Sequence, residues 1–139
     1  MLIGRTEEPL REVAAAIEAM GRRAMVDVLD LTAIGEIEPA FDAIADDLGG
    51  LDILVNSAGV QVIRPSVEVT EEDWDTVLDT NLKALFFCCQ VAGRRMLTQG
   101  AGKIINLGST FSVTGYPQFT AYCVSKGGVL QLTRTLAAE

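Results

Sequence analysis

The stretch LDILVNSAG, residues 51 to 59, determines how the rest of the sequence is interpreted. An apolar run, Ile53 to Val55, follows the glycine pair at 49 and 50 and leads directly into the small residues of NSAG. A short apolar run that is bounded by turn residues predicts a buried β-strand. Strands that are apolar on both faces are typical of parallel sheets covered by helices. The stretch therefore predicts an α/β fold.

Three further strand candidates lie on either side of this one, and helical patterns separate them. The strand candidates are Leu2 with Ile3, AMVDV (24 to 28) and KIINLGS (103 to 109). The helices are expected from Thr6 to Gly21, around Ile37 to Leu48 with Pro39 in the first turns, from Thr70 through Leu97, and from about Phe119 to Glu139. Strand and helix alternate four times, which predicts a doubly wound parallel sheet.

Composition limits the classes of function. The 139 residues have the length of one domain, and 49% of them are hydrophobic, enough for a core. A net charge of -8 argues against nucleic acid, because phosphate binding needs clustered Lys and Arg. The sequence has no apolar run of about 18 residues for a membrane span and no signal-peptide pattern at its start. We therefore expect a cytoplasmic protein with no membrane partner.

Histidine is absent, and the three cysteines form no CxxC pair. The absence of histidine excludes a Ser-His-Asp triad and an HExxH metal site. The cysteines are expected to be buried, reduced thiols, and no metal is expected. Any general acid or base must then be Tyr, Lys, Asp, Glu or Cys.

Tyr122 and Lys126 form the strongest candidate catalytic pair. Residues four apart on a helix share one face, and a nearby ammonium favours the phenolate form of a tyrosine. Tyr122 is thus a plausible general acid and base that Lys126 tunes. The alternative is an amphipathic helix with a surface lysine and a partly buried tyrosine.

Two more polar residues accompany this pair. Ser109 ends the fourth strand, where its hydroxyl could donate to a substrate oxygen, although Ser112 is a competitor and a serine there also forms turns. Asn81 interrupts an apolar helix, where a buried amide needs hydrogen-bond partners. A bent or hydrated helix is therefore expected at Asn81.

Ligands of doubly wound folds bind at the carboxyl ends of the strands. Four segments follow strands directly: Gly4-Arg5, Asp30, NSAG (56 to 59) and GST (108 to 110). Arg5 could bind a phosphate or simply be solvated. Asp30 could meet a ligand amine or begin a turn. The small residues of NSAG would let a flat ring or a sugar approach the backbone, or form an ordinary turn.

Together these motifs resemble the short-chain dehydrogenase/reductase family in its single-domain subfamily. The matching segments are LDILVNSAG, TNLKALFF, GKIINLGS and YCVSK, with EEDWDTVLDTN and DLT in support. The resemblance implies that Tyr122 is the catalytic acid/base, and that Lys126 tunes it and binds the nicotinamide ribose. It also implies that Ser109 polarises the carbonyl or alcohol, and that Asn81 anchors a water of a proton relay.

The same resemblance implies the cofactor and the partners. Asn56, Ala58 and Gly59 would form the cofactor wall, and Asp30 with Leu31 would contact the adenine. The basic residue Arg5 favours NADP over NAD. The substrate would be a small carbonyl or alcohol compound, and the sequence looks most like bacterial sugar and sugar-acid dehydrogenases. Family members are dimers or tetramers, so a homo-oligomer is expected. Small departures from the family pattern are Ser57, Ala84 and Gly108.

The family pattern also includes segments that these residues do not match. They lack the first strand with its glycine-rich turn TGxxxGxG, and the later strands at the carboxyl end. Residues 1 to 139 are therefore expected to form a partial Rossmann-like dinucleotide-binding and catalytic domain, with unpaired inner strand edges and marginal stability. The alternative is a catalytically inert, dehydrogenase-like interaction or assembly module. Another nucleotide-binding α/β protein, such as a methyltransferase, explains the alternation but not the four site residues.

Overall fold

The computed structural model describes all 139 residues, which divide into two compact units, residues 1–50 and 51–139. The strands are β1 (Leu2–Gly4), β2 (Val26–Val28), β3 (Ile53–Asn56) and β4 (Lys103–Asn106). The α-helices are α1 (Glu7–Ala19), α2 (Ile34–Leu48), α3 (Glu71–Leu78), α4 (Ala84–Gln99) and α5 (Thr120–Leu136). The predicted alternation of strands and helices is confirmed.

The first unit contains a parallel pair of strands. Leu2 of β1 lies opposite Val26 of β2, and α1 packs against both strands. Thr6 occupies the N-cap position of α1, as expected from the helix start at this residue, but its side chain makes no capping hydrogen bond. Pro39 lies in the second turn of α2, because that helix begins at Ile34. The missing N–H of Pro39 therefore falls where an intrahelical bond would normally form.

The second unit contains the parallel pair β3 and β4, in which Asn56 lies opposite Asn106. One face of this sheet packs on α4 and α5 through a core cluster to which Ile104 contributes. The other face exposes its apolar side chains: Ile53, Val55 and Ile105 are 57%, 53% and 50% exposed. Within residues 51–139, both α4 and α5 lie on one face of this sheet.

A long helical segment runs from α3 into α4 through a π turn at Asp79–Lys83. The predicted irregularity at Asn81 is this π turn, and the Asn81 side chain within it is fully buried. A π turn inserts one extra residue into the helix and is frequent at functional sites. The π turn therefore lies at the position of the fully buried Asn81 side chain.

The start of α3 is fixed by a capping box. The backbone N–H of Thr70 donates to Asp73 Oδ2 at 3.0 Å, and the Asp73 N–H donates to Thr70 Oγ1 at 3.1 Å. Arg64 Nη1 lies 2.8 Å from the same carboxylate. These contacts, the Thr70 backbone hydrogen bond above all, lower the pKa of Asp73 below its ordinary value.

Asp73→Asn is expected to make the free energy of unfolding depend less on pH in acid solution. A carboxyl whose pKa is lower in the folded state stabilises fully above its unfolded value, about pH 4, and loses this effect as the pH falls through the folded value. The wild type should therefore lose more stability than Asp73→Asn between about pH 4 and pH 2. Urea unfolding at several pH values measures this difference. Parallel profiles for the two proteins would contradict the expected role of Asp73.

None of the helices combines the length and the apolar character that crossing a bilayer requires.

Candidate active site

Tyr122 and Lys126 lie on consecutive turns at the start of α5. The Lys126 Nζ atom is 5.8 Å from the centre of the Tyr122 ring. Lys126 is only 5% exposed, and burial lowers the pKa of its ammonium group. The surface-lysine alternative is therefore wrong, because this lysine is buried beside the tyrosine.

The ammonium group of Lys126 is fixed by a backbone carbonyl at the end of β4. Lys126 Nζ donates to the Leu107 carbonyl oxygen at 2.8 Å. The backbone N–H of Leu107 donates to the Asn56 carbonyl oxygen at 3.0 Å, and this bond continues the pairing of β3 with β4. Leu107 thus links the lysine directly to the sheet.

The carboxamide of Asn81 joins the loop after β3 to α5. Its Oδ1 atom accepts from the Val60 N–H at 2.7 Å, and its Nδ2 atom donates to the Val60 carbonyl oxygen at 2.8 Å. Nδ2 also donates to Ser125 Oγ at 3.0 Å. The expectation that this buried amide needs partners is confirmed, since all three bonds are satisfied within the protein.

Ser125 is a residue that the sequence reasoning missed. It is fully buried, and its hydroxyl donates to the Tyr122 carbonyl oxygen at 2.8 Å while accepting from Asn81. The available signal was its position on an otherwise apolar stripe of α5, between the buried residues Ala121 and Val129. A polar residue at such a position requires partners.

Ser109 is the N-cap of a short 3₁₀ turn, Thr110–Ser112, and Ser112 is the last residue of that turn. Ser109 Oγ accepts from the Phe111 N–H at 3.1 Å, and Ser112 Oγ accepts from the Ser109 N–H at 3.1 Å. Ser109 is half-buried. The turn-forming role of Ser109 is therefore observed, and its catalytic role stays a prediction.

Two further aromatic rings that the sequence reasoning missed hold the Tyr122 ring. The ring of Phe111 lies edge-on to it, with centres 6.0 Å apart and planes at 86°. The Phe119 ring lies 6.4 Å away at 74°. Edge-to-face pairs at such distances are favourable. Phe111 also brings the turn that carries Ser109 beside the first turn of α5.

Of the cofactor-wall candidates, Asn56 is the last residue of β3, and Ala58 and Gly59 follow that strand. Ala58 and Gly59 are exposed, whereas the Asn56 side chain is buried and donates to Asn106 Oδ1 at 2.9 Å and to Cys89 Sγ at 3.3 Å. The Asn56 amide therefore fastens the sheet to α4. A Cβ atom on Gly59 would lie 3.4 Å from Asn81 Oδ1, so this glycine borders the site.

The cysteines are mostly buried, as the sequence predicts. Cys88 and Cys89 are buried, and Cys123 is half-buried. Burial raises the pKa of Cys88 to about 12, and it also raises the pKa of Cys89. Both buried thiols therefore stay protonated and unreactive near neutral pH.

The candidates of the first unit lie after its two strands. Asp30 Oδ1 accepts from the Thr32 N–H at 2.9 Å and from Thr32 Oγ1 at 2.8 Å, which is a turn-forming arrangement. These bonds, with a smaller effect of the Arg5 charge, lower the pKa of Asp30. Arg5 and Asp30 are exposed, and Leu31 is half-buried. Their roles in binding a cofactor stay predictions.

Comparison with known proteins identifies the family of this chain. The family model for short chain dehydrogenase matches residues 1–139. D-threitol dehydrogenase of Mycolicibacterium smegmatis is 43% identical over 110 residues, which are 79% of this chain and 42% of that protein. Gluconate 5-dehydrogenase of Gluconobacter oxydans is 37% identical over 139 residues, which are 100% of this chain and 54% of that protein.

A solved structure extends the likeness to three dimensions. The crystal structure of NAD⁺-bound xylitol dehydrogenase superimposes with a TM-score of 0.95 at 32% sequence identity, over 99% of this chain and 53% of that one. The chain spans about half the length of the curated relatives it matches. The predicted Rossmann-like class and the sugar-dehydrogenase resemblance are confirmed. The chain belongs to the short chain dehydrogenase family.

Proposed function

We propose that the protein is an NAD(P)-dependent oxidoreductase that moves a hydride between a nicotinamide cofactor and a carbonyl or secondary alcohol. Tyr122 is the general acid/base in this proposal. The observation that carries it is the buried Lys126 ammonium, 5.8 Å from the Tyr122 ring centre and fixed to the Leu107 carbonyl oxygen. Residues 1–139 would supply dinucleotide-binding and catalytic parts of the enzyme.

The residues beside Lys126 fit a nicotinamide nucleotide. An ammonium group has three donors, and the bond to Leu107 uses one of them. Two donors remain for the hydroxyls of a ribose. Gly59 presents no side chain here, and a Cβ atom on it would lie 3.9 Å from Lys126 Nζ. When bound, the cofactor supplies or accepts the hydride.

The chain's own residues supply the proton and stabilise charge. During reduction the Tyr122 hydroxyl gives its proton to the substrate oxygen and becomes a phenolate, and in oxidation the phenolate takes the proton of the substrate alcohol. The ammonium group of Lys126, 5.8 Å from the centre of the Tyr122 ring, carries the charge opposite to that of this phenolate. Because Ser109 Oγ accepts from Phe111, its own hydrogen is available to donate to the same substrate oxygen. Ser112 remains the competing hydroxyl.

Asn81 contributes by holding parts of the site together. Both hydrogens of its amide are used, by Val60 and by Ser125. The side-chain amide of Asn81 therefore connects the loop after β3 to α5 by hydrogen bonds. The anchoring of a relay water by Asn81, which the family resemblance implies, remains part of this proposal.

The proposed substrates are small polyols, sugars or sugar acids. The supporting observation is the names of the relatives, which include dehydrogenases for D-threitol, gluconate and 2-dehydro-3-deoxy-D-gluconate. The proposed assembly is a homodimer or homotetramer. Light scattering of the purified protein tests the assembly.

Calorimetric titration with NADPH and NADH tests the cofactor assignment. We propose NADP as the preferred cofactor, with Arg5 on its phosphate and with Asp30 and Leu31 at the adenine. Arg5→Glu should weaken NADPH binding about tenfold or more, because it replaces a charge-assisted contact by repulsion, and should change NADH binding much less. Arg22→Glu is the control, since it makes the same charge change at another exposed arginine of the first unit.

Each outcome of the titration has a defined meaning. Equal losses for NADPH in Arg5→Glu and Arg22→Glu would contradict a specific role of Arg5. If the wild type bound NADH more tightly than NADPH, the preferred cofactor would be NAD rather than NADP. Binding of neither cofactor would favour the inert interaction or assembly module over the enzyme.

A further inference from the structure

The hydroxyl of Ser125 connects two members of the proposed catalytic group. Ser125 is fully buried and stands one residue before Lys126. Its Oγ atom lies 2.8 Å from the Tyr122 carbonyl oxygen, one turn back along α5, and 3.0 Å from Asn81 Nδ2 in the π turn. Asn81 and Ser125 are 44 positions apart in the sequence. This is a direct side-chain bond between the segment that carries Asn81 and the segment that carries Tyr122.

The chemistry of the partners fixes the direction of each hydrogen bond. A backbone carbonyl only accepts hydrogen bonds, so the Ser125 hydroxyl must donate to the Tyr122 carbonyl oxygen. The hydroxyl oxygen then accepts from the amide of Asn81. The other Nδ2 hydrogen goes to the Val60 carbonyl oxygen, and Oδ1 faces the Val60 N–H. This arrangement permits only one orientation of the Asn81 amide.

We propose that Ser125 is a positioning residue of the active site. It fixes the turn of α5 that presents Tyr122 and Lys126 against the π turn at Asn81. The inference rests on the proposed oxidoreductase function, because the geometry that Ser125 fixes is that of Tyr122 and Lys126. Misplacement of a catalytic group by about 1 Å can cost about a hundredfold in rate. A hydroxyl that contacts no substrate can therefore control turnover.

Ser125→Ala removes the hydroxyl without enlarging the side chain, and alanine is the residue that favours a helix most. It should lower kcat by about tenfold to a hundredfold. Cofactor affinity and KM should change less than about threefold, because the binding groups of Lys126 and Ser109 remain. The matched control is Thr135→Ala on the same helix, whose exposed hydroxyl donates to the Gln131 carbonyl oxygen at 3.1 Å. It should leave kcat unchanged.

Stability must be measured alongside these rates. A merely structural role would lower the unfolding midpoint of Ser125→Ala but leave kcat per folded molecule at the wild-type value, and that result would overturn the proposal. A loss of kcat at unchanged KM, absent in Thr135→Ala, supports it.

A spectroscopic measurement tests the positioning without turnover. The chain has only two tyrosines, so labelling tyrosine with ¹³C gives signals from Tyr122 and Tyr116 alone. Ser125→Ala should shift the ring and carbonyl signals of Tyr122 and leave those of Tyr116 in place. Unchanged Tyr122 signals would overturn the proposal. If the wild type lacks turnover while these signals shift, the proposed function fails, and only the structural link between Ser125 and the turn that carries Tyr122 is supported.

The wild-type protein supplies a test that needs no variant. Both Nδ2 hydrogens of Asn81 should exchange slowly with water, since each is buried and hydrogen-bonded. Slow exchange of both hydrogens supports the proposed hydrogen bond between Asn81 and Ser125. Exchange of the Ser125-bonded hydrogen at the rate of an exposed asparagine would overturn it, even if Ser125→Ala fails to fold.

Discussion

Tyr122→Phe is expected to lower kcat by about 10²- to 10⁴-fold, the range that a positioned general acid or base contributes. The substitution removes one oxygen atom and keeps the ring that Phe111 and Phe119 contact edge-on. Cofactor affinity and the unfolding midpoint should therefore stay close to the wild-type values. Steady-state rates with polyols and sugar acids, together with thermal unfolding, measure both parts of this prediction.

The other tyrosine provides the control for this experiment. Tyr116→Phe makes the same chemical change at a residue that is 58% exposed and stacks on Phe111. It should retain wild-type kcat within about threefold, because surface substitutions have small effects. If Tyr122→Phe retained activity to the same degree, the assignment of the acid/base would be wrong.

Lys126→Met is expected to weaken catalysis and cofactor binding together. The loss in kcat/KM should be about a hundredfold or more, since hydrogen bonds from a charged donor contribute about 1.5–3 kcal/mol. Methionine fills a similar volume but donates no hydrogen bond, so the Leu107 carbonyl oxygen loses its donor. Kinetics and calorimetry with both nicotinamide nucleotides measure the two losses.

The same variant should change how stability depends on pH. Burial lowers the pKa of Lys126, so the folded protein binds the proton less tightly than the unfolded chain. The cost of burying the charge is complete below the folded pKa and disappears as the pH rises above the unfolded value, about 10.4. The wild type should therefore gain stability relative to Lys126→Met as the pH rises toward that value. Urea unfolding at neutral and alkaline pH measures the gain.

Lys103→Met is the matched control, because Lys103 is exposed at the start of β4. Its stability relative to the wild type should change little with pH, and its kcat/KM should match the wild type. A constant difference between Lys126→Met and the wild type over this pH range would contradict the buried-charge argument.

The sequence predicts the fold class because its strands are short apolar runs, whereas its helices have apolar residues spaced three or four apart. The order of elements and the parallel pairing of β3 with β4 are as expected. The π turn at Asp79–Lys83 was foreseen only as an irregularity, because a buried asparagine signals a need for partners but not the backbone form that provides them. Thr6 and Thr70 both precede a helix, but only Thr70 makes a capping hydrogen bond, so the residue type alone does not predict the bond.

The candidate site could be predicted to the extent that it depends on local spacing. Tyr122 and Lys126 are neighbours because four residues make about one helical turn. The bond between Asn81 and Ser125 joins distant segments, so no local pattern reveals it. The choice between Ser109 and Ser112 also depends on tertiary geometry, since both hydroxyls accept hydrogen bonds within one turn.

The Leu107 peptide gives the pairing of β3 with β4 a second role. Its N–H extends the ladder from Asn56, and its carbonyl holds Lys126. A slip of one residue between the strands would move that carbonyl by about 3.3 Å, farther than a hydrogen bond can stretch. The register of β3 and β4 therefore determines whether Lys126 can reach the Leu107 carbonyl oxygen. A sheet with a shifted register would lose activity even while the protein remained folded.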